Sequence, residues 1–115
     1  EVDAAERSLE IDKTEELIQT LAMQQKLALT ACYAGLCQRR RKLTTGDAYM
    51  FYREVCGRGN HSPLTQRRFA DMISFLDLYG LINAPVISKG RYGKTREVSG
   101  SLPDSLVRKM LKGGV

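Results

Sequence analysis

The feature that most constrains this chain is a change of texture at Gly80. Upstream, Phe69, Met72, Ile73, Leu76 and Tyr79 recur at helical spacing in a run that opens at Ser62-Pro63. Ser can cap a helix, and Pro fits its first turn, where no N–H is needed. Downstream come two short β runs, Leu81 to Ser88 and Lys94 to Ser99, with Pro85 arguing for an edge strand. Between them lies Lys89-Gly90-Arg91-Tyr92-Gly93. Two glycines at a hairpin tip permit positive φ and hold the residues they bracket out in solvent. A helix that stops at glycine and hands over to a basic hairpin leaves few folds open.

Earlier helical patterns supply the rest of the core. Asp12 followed by Glu15 has capping-box spacing, which predicts a helix from about Lys13 to Leu21 with Leu17, Ile18 and Leu21 on one face. A longer pattern follows, in which Met23, Leu27, Ala31 and Ala34 interleave with Leu29, Cys32, Tyr33, Leu36 and Cys37. Apolar on most of its surface, it belongs at the centre of the core. It ends in Arg39-Arg40-Arg41-Lys42, which suits the negative end of a helix dipole. That run is either a solvated terminus or a track for phosphates.

Thr44-Thr45-Gly46-Asp47 starts a third pattern, either Thr capping, with Ala48, Phe51, Tyr52 and Val55 inward as far as Gly57. Leu43 to Thr45 can add a very short strand. A last helix runs from Leu102 or Pro103 to Lys112 and docks through Leu106, Val107 and Met110. Residues 1–12 read as the tail of an upstream helix or a linker, and residues 13–115 as the domain itself. The expectation is a piece cut from a larger protein.

Helix, helix, helix, strand, hairpin, strand is the order of a winged helix-turn-helix, a mainly α fold with a small β-hairpin (α+β). In that fold the third helix enters a major groove and the hairpin reaches a neighbouring groove. The charge agrees. The formal +5 conceals a net −5 over residues 1–16 and a net +10 over residues 17–115. A compact body this basic is expected to meet a polyanion, nucleic acid first and an anionic membrane surface second.

Other classes are excluded by what the residues lack. No apolar run approaches the roughly 18 residues that span a bilayer, and Glu1-Val2-Asp3 resembles neither a signal nor a transit peptide. A cytoplasmic, nucleoid-associated location is expected, with no membrane partner. Cys32, Cys37 and Cys56 have no ligand spacing and His61 is the only histidine, so no zinc site is expected and the cysteines read as small buried apolar residues. Gly57-Arg58-Gly59-Asn60 lacks the strand and the Lys-Ser/Thr of a phosphate-cradling loop, and no nucleophile-base pair is present. Neither catalysis nor a cofactor is expected in these residues.

Centring the helix after Ser62 on Phe69, Ile73 and Leu76 turns Arg67, Asp71, Ser74 and Leu78 outward, with Gln66 and Arg68 beside them. Its DNA-reading residues are therefore Ser62, Thr65, Gln66, Arg67, Arg68 and Asp71. Arg can bond guanine O6 and N7 together, and Gln can do the same with adenine. Asp71 either orients Arg67, accepts from cytosine N4, or makes an ordinary surface pair with Arg67. In the hairpin the site comprises Ser88, Lys89, Gly90, Arg91, Tyr92, Gly93, Lys94 and Arg96, four cations with no acid among them. Arg91 at the tip suits a narrow minor groove, and a cationic edge that only blocks aggregation is the plain alternative. Exposed Leu78 and boundary Phe75 also allow a protein-docking module, and structured RNA is a weaker alternative to duplex DNA.

The stretch Leu64 to Met72, then Leu76 to Ile82, then Ser88-Lys89-Gly90-Arg91-Tyr92-Gly93-Lys94-Thr95-Arg96 resembles the carboxy-terminal domain of a family of archaeal replication initiators. These are related to eukaryotic cell-division-control protein six and origin recognition complex subunit one. Residues 2–5, 15–18, 21 and 25–29 are similar to that family's passage from the ATPase lid into the winged helix. The resemblance implies an upstream AAA+ module holding ATP or ADP and magnesium, outside these residues. It also implies binding to double-stranded origin DNA, with the replicative helicase or other initiator subunits as further partners. Carried over, the major-groove role falls to Thr65, Gln66, Arg67 and Arg68, and the minor-groove role to Lys89 through Arg96. The Arg39 to Lys42 run and the three cysteines lie outside the family pattern, and Leu21-Ala22 stands where it often has Leu-Pro.

Overall fold

A computed structural model describes residues 13–88, Gly90 and residues 93–113. The predicted cap at Asp12 lies outside the described residues, as do Lys89, Arg91 and Tyr92. The described elements are α1 (residues 13–20), α2 (Met23–Arg39), β1 (Leu43–Thr44), α3 (Thr45–Arg58), α4 (Gln66–Leu78), β2 (Ile82–Asn83), β3 (Val86–Ser88), β4 (Lys94–Gly100) and α5 (Asp104–Gly113). This is the winged-helix order.

α2 is the central element. Leu27, Ala28, Leu29, Ala31 and Cys32 have no exposure, and Tyr33 has almost none, so the middle of the helix is wrapped by its neighbours, as its largely apolar surface requires. α3 packs across it with Ala48, Phe51, Tyr52 and Cys56 inward, and α4 adds Phe69, Met72, Ile73 and Leu76. Gly35 marks a close approach of α2 to Leu43 and Phe51. A Cβ there would stand 2.6 Å from Leu43 Cδ1 and 2.8 Å from Phe51 Cδ2. Ala is favoured over Gly in a helix by about 1 kcal/mol, but overpacking a filled core costs about 1–3 kcal/mol. Gly35→Ala is therefore expected to destabilise the domain, seen as a lower urea midpoint; a higher midpoint would show that Leu43 and Phe51 give way freely.

Thr44 is the cap of α3, accepting from Asp47 N at 3.2 Å while Asp47 Oδ2 accepts from Thr44 N at 3.3 Å. Asp47 also draws in Arg39 and Arg41, at 3.6 and 3.7 Å, and Glu97 takes Lys42 at 3.6 Å. Three cations of the Arg39–Lys42 run thus face acids of their own domain. Arg40 closes α2 with φ 53, its N–H reaching Leu36 O at 2.9 Å.

β4 is the hub of the sheet, with β1 antiparallel on one side (Leu43↔Val98) and β2 and β3 antiparallel on the other. The run from Leu81 to Ser88, expected as one strand, is two. β2 pairs Ile82 with Gly100, and β3 pairs Val86 with Arg96 in the same continuing register. The interruption is Ala84-Pro85: Pro85 has no N–H to donate, although its carbonyl still accepts from Glu97 N at 3.0 Å. At the hairpin tip Gly90 and Gly93 have φ 63 and 88, the positive values that the glycine pair predicted.

Cys32 and Cys56 are buried as expected; Cys37 is exposed. Cys37 falls in the last two turns of α2, where that helix reaches the surface. Among the described residues, no helix is long and apolar enough to cross a membrane.

Candidate nucleic-acid interface

The helix that reads as the recognition element begins later than the sequence suggests. Thr65 is its cap, with Oγ1 accepting from Arg68 N at 3.3 Å, so Ser62-Pro63 is not the helix start and Ser62 caps nothing. The preceding segment is held extended by side chains from two other helices. Gln24 Nε2 donates to Ser62 O at 3.1 Å, Tyr49 Oη donates to Leu64 O at 2.8 Å, and Leu64 N donates to Tyr52 Oη at 2.9 Å. Tyr52 Oη in turn donates to Gln24 Oε1. These bonds satisfy backbone groups that a helix from Ser62 would have needed internally.

The rings beneath those hydroxyls pack on α4 itself. Tyr52 and Tyr49 lie 4.9 and 5.4 Å from the buried Phe69 ring, centroid to centroid. The amino-terminal turn of α4 is thus anchored from below and presents Gln66, Arg67 and Arg68 to solvent at the positive end of the helix dipole.

Between α4 and the hairpin strands runs an open groove of ≈ 470 Å³. Gln66, Arg67, Asp71 and Ser74 line one wall, with Lys94, Thr95 and Arg96 opposite. Of the residues read from the sequence, Gln66, Arg67, Asp71, Lys94 and Arg96 are brought together here. Ser62, Thr65, Arg68, Ser88, Gly90 and Gly93 are outside the groove wall, though all are exposed. Ser88 instead shapes the turn, its Oγ accepting from Gly90 N at 3.3 Å, and Gly93 N donates to Gly90 O at 3.1 Å.

Two electrostatic expectations are corrected. Arg67 and Asp71, one helical turn apart, form no ion pair within 4 Å, so Asp71 does not orient that guanidinium. The hairpin, by contrast, does meet an acid: Arg96 NH1 lies 3.4 Å from Asp77 Oδ2 on α4. Asp77 was missed in the sequence. The signal was its place in the last turn of a helix, where the dipole disfavours a carboxylate and a specific partner must compensate.

The model of the CDC6 C-terminal winged helix domain matches residues 16–110. An ORC1-type DNA replication protein 1 of Methanosarcina mazei is 43% identical over 96% of this chain and 27% of its own length. The ORC1-type DNA replication protein of Pyrococcus furiosus is 42% identical over 94% of this chain and 26% of its own length. This chain therefore spans about a quarter of these relatives. Among solved structures, the Aeropyrum pernix ORC1 protein in complex with DNA matches with a TM-score of 0.85 at 35% identity, over 97% of this chain and 29% of that one. Cdc6p of Pyrobaculum aerophilum, at 23% identity and a TM-score of 0.66, shares the fold. The helix order, the central β4 hairpin and these matches agree: the chain belongs to the family of CDC6 C-terminal winged helix domains, found in ORC1-type DNA replication proteins.

Proposed function

We propose that this domain binds double-stranded DNA, with α4 in a major groove and the β3–β4 hairpin on the adjacent minor groove, as part of a replication initiator acting at origins. The observation that carries the reading is the groove shared by α4 and the hairpin, where Gln66, Arg67 and Lys94 meet on one exposed face. A major groove about 12 Å wide admits one helix, and Gln66 and Arg67 in its first turn are the residue types that pair with adenine and guanine edges. Asp71, one turn on, accepts from cytosine N4 on this proposal. Lys94, with Lys89 and Arg91 of the sequence-defined tip, supplies the phosphate and minor-groove contacts. The Aeropyrum pernix relative in complex with DNA supports the same reading. An upstream ATP- and magnesium-binding module, and contact with a helicase or other initiator subunits, belong to the parent protein on this proposal.

Single substitutions separate base readers from phosphate contacts. Arg91→Ala should weaken duplex binding and flatten the log-log salt dependence by about 0.9, the loss of one phosphate contact. Arg67→Ala should weaken binding to a preferred sequence by roughly 10- to 100-fold, on the order of one bidentate base contact, and much less to random duplex. Both are read by fluorescence anisotropy of a labelled duplex. An unchanged slope and affinity for Arg91→Ala would remove the hairpin from the interface.

A second reading rests on a different surface. Leu78 is 81% exposed and Tyr79 50%, with the Phe75 ring tilted against Tyr79 at 4.5 Å between centroids, an apolar end of α4 suited to a protein partner. Absence of duplex binding would favour it.

A further inference from the structure

Asp77 reaches out of α4 to a junction in the hairpin. Its Oδ1 accepts from Ala84 N at 2.9 Å, and its Oδ2 lies 3.4 Å from Arg96 NH1. The same NH1 donates to Ala84 O at 2.6 Å. Three elements are closed into one ring: the recognition helix, the break between β2 and β3, and β4. Both backbone polar groups of Ala84 are used, and they belong to a buried residue followed by a proline that cannot donate. Through these side chains the outer arm of the hairpin is tied directly to α4 across the groove.

We infer that Asp77 and Arg96 are positioning residues that set the angle between α4 and the hairpin, and that Arg96 acts through this clamp without itself touching phosphate. The inference rests on the reading of α4 and the hairpin as the DNA-contacting pair. Its logic is preorganisation. A duplex offers its two grooves at a fixed spacing, and two reading elements that move independently must lose that freedom on binding. Arg96 is a poor candidate for a phosphate contact, because its side chain is only 27% exposed and its NH1 is engaged twice within the domain. Lys94, two residues earlier on the same strand face, is exposed on the groove wall and fits that role. Arg is also the residue type the clamp needs, since its fork can meet a carboxylate and a carbonyl together while a lysine ammonium is a point charge.

The test uses charge against geometry. Asp77→Asn keeps an acceptor for Ala84 N–H and removes one negative charge from the DNA-facing side. Electrostatics alone would tighten duplex binding; the clamp predicts binding weaker by roughly threefold to thirtyfold with the salt slope unchanged. Arg96→Lys retains the charge and should weaken binding as much as Arg96→Gln, again with unchanged slope. The clamp is overturned if Asp77→Asn binds as well as the unaltered chain or better. It is equally overturned if Arg96→Lys binds normally while Arg96→Gln flattens the slope by about 0.9, the mark of a phosphate contact. A readout without DNA accompanies these. Amide hydrogen exchange should accelerate through β3 in Asp77→Asn and Arg96→Lys while α2 keeps its protection, and unchanged exchange there would also overturn the clamp. Because exchange needs no duplex, failure of the clamp is distinguishable from failure of the DNA reading, which would show as no binding by the unaltered chain.

Discussion

Replacing Tyr33 by Phe should destabilise the domain by about 3 kcal/mol, with a fall in Tm of roughly 10 °C. Tyr33 is 3% exposed and its hydroxyl is shared three ways. It donates to Leu81 O at 2.6 Å and accepts from Ser101 N at 3.1 Å and Leu102 N at 3.2 Å. One phenol on α2 therefore fixes both the exit from α4 into β2 and the turn that leads from β4 to α5. Phe preserves the ring and its packing and removes only the oxygen. Each buried backbone group left without a partner costs about 1–3 kcal/mol, and the two amides are only partly buried, which brings the total toward the lower part of the summed range. The measurement is urea unfolding, in which the midpoint should drop with the slope unchanged. A loss under about 0.5 kcal/mol, the size of an ordinary surface substitution, would show that this hydroxyl does not hold the hairpin base to the core.

The second large effect is alkaline. Burial pushes the Cys32 thiol from 9.0 up to about 12. Burial also raises the neighbouring Tyr33, against the lowering effect of the Ser101 and Leu102 amides, and it raises Cys56. The folded state holds these protons more tightly than the unfolded chain does. Stability is therefore complete below pH 9 and declines as pH rises from 9 toward 12, where the unfolded chain alone releases the Cys32 proton. Three pH units correspond to about 4 kcal/mol from this thiol. Cys32→Ala costs packing at every pH but should flatten the decline between pH 9 and 12, as measured by urea unfolding across that range. The same decline in Cys32→Ala and in the unaltered chain would remove Cys32 as its source.

What could be read in the sequence was whatever rests on local chemistry. The core face of α4 follows from the spacing of Phe69, Met72, Ile73 and Leu76, and the tip follows from Gly90 and Gly93, because only glycine takes those φ values without strain. The start of α4 was misplaced because it is decided at a distance. Ser62-Pro63 is locally a good helix opening, yet Gln24, Tyr49 and Tyr52 supply the partners that keep it extended. The bias of a residue before proline toward extended backbone was the one local hint. Phasing alone set Asp71 beside Arg67, whereas the pair that forms joins Asp77 to Arg96, across 19 residues, and periodicity carries no information at that range. Tyr33 was legible as core but not as a polar tie, since its partners lie 48 to 69 residues away.

The candidate site gained a division of labour from these contacts. Gln66, Arg67 and Lys94 remain as outward-facing residues proposed to read DNA, while Arg96 turns inward and the Arg39–Lys42 run is largely matched by Asp47 and Glu97. The positive surface that the +10 body promised is therefore narrower than the sequence suggests.

Titrating a short labelled DNA duplex with this chain at increasing salt tests the central claim most directly. Phosphate contacts from Arg68, Lys89, Arg91 and Lys94 predict a log-log slope of about −3.6, at roughly 0.9 for each phosphate neutralised. Absence of binding at low salt, or binding indifferent to salt, would contradict it.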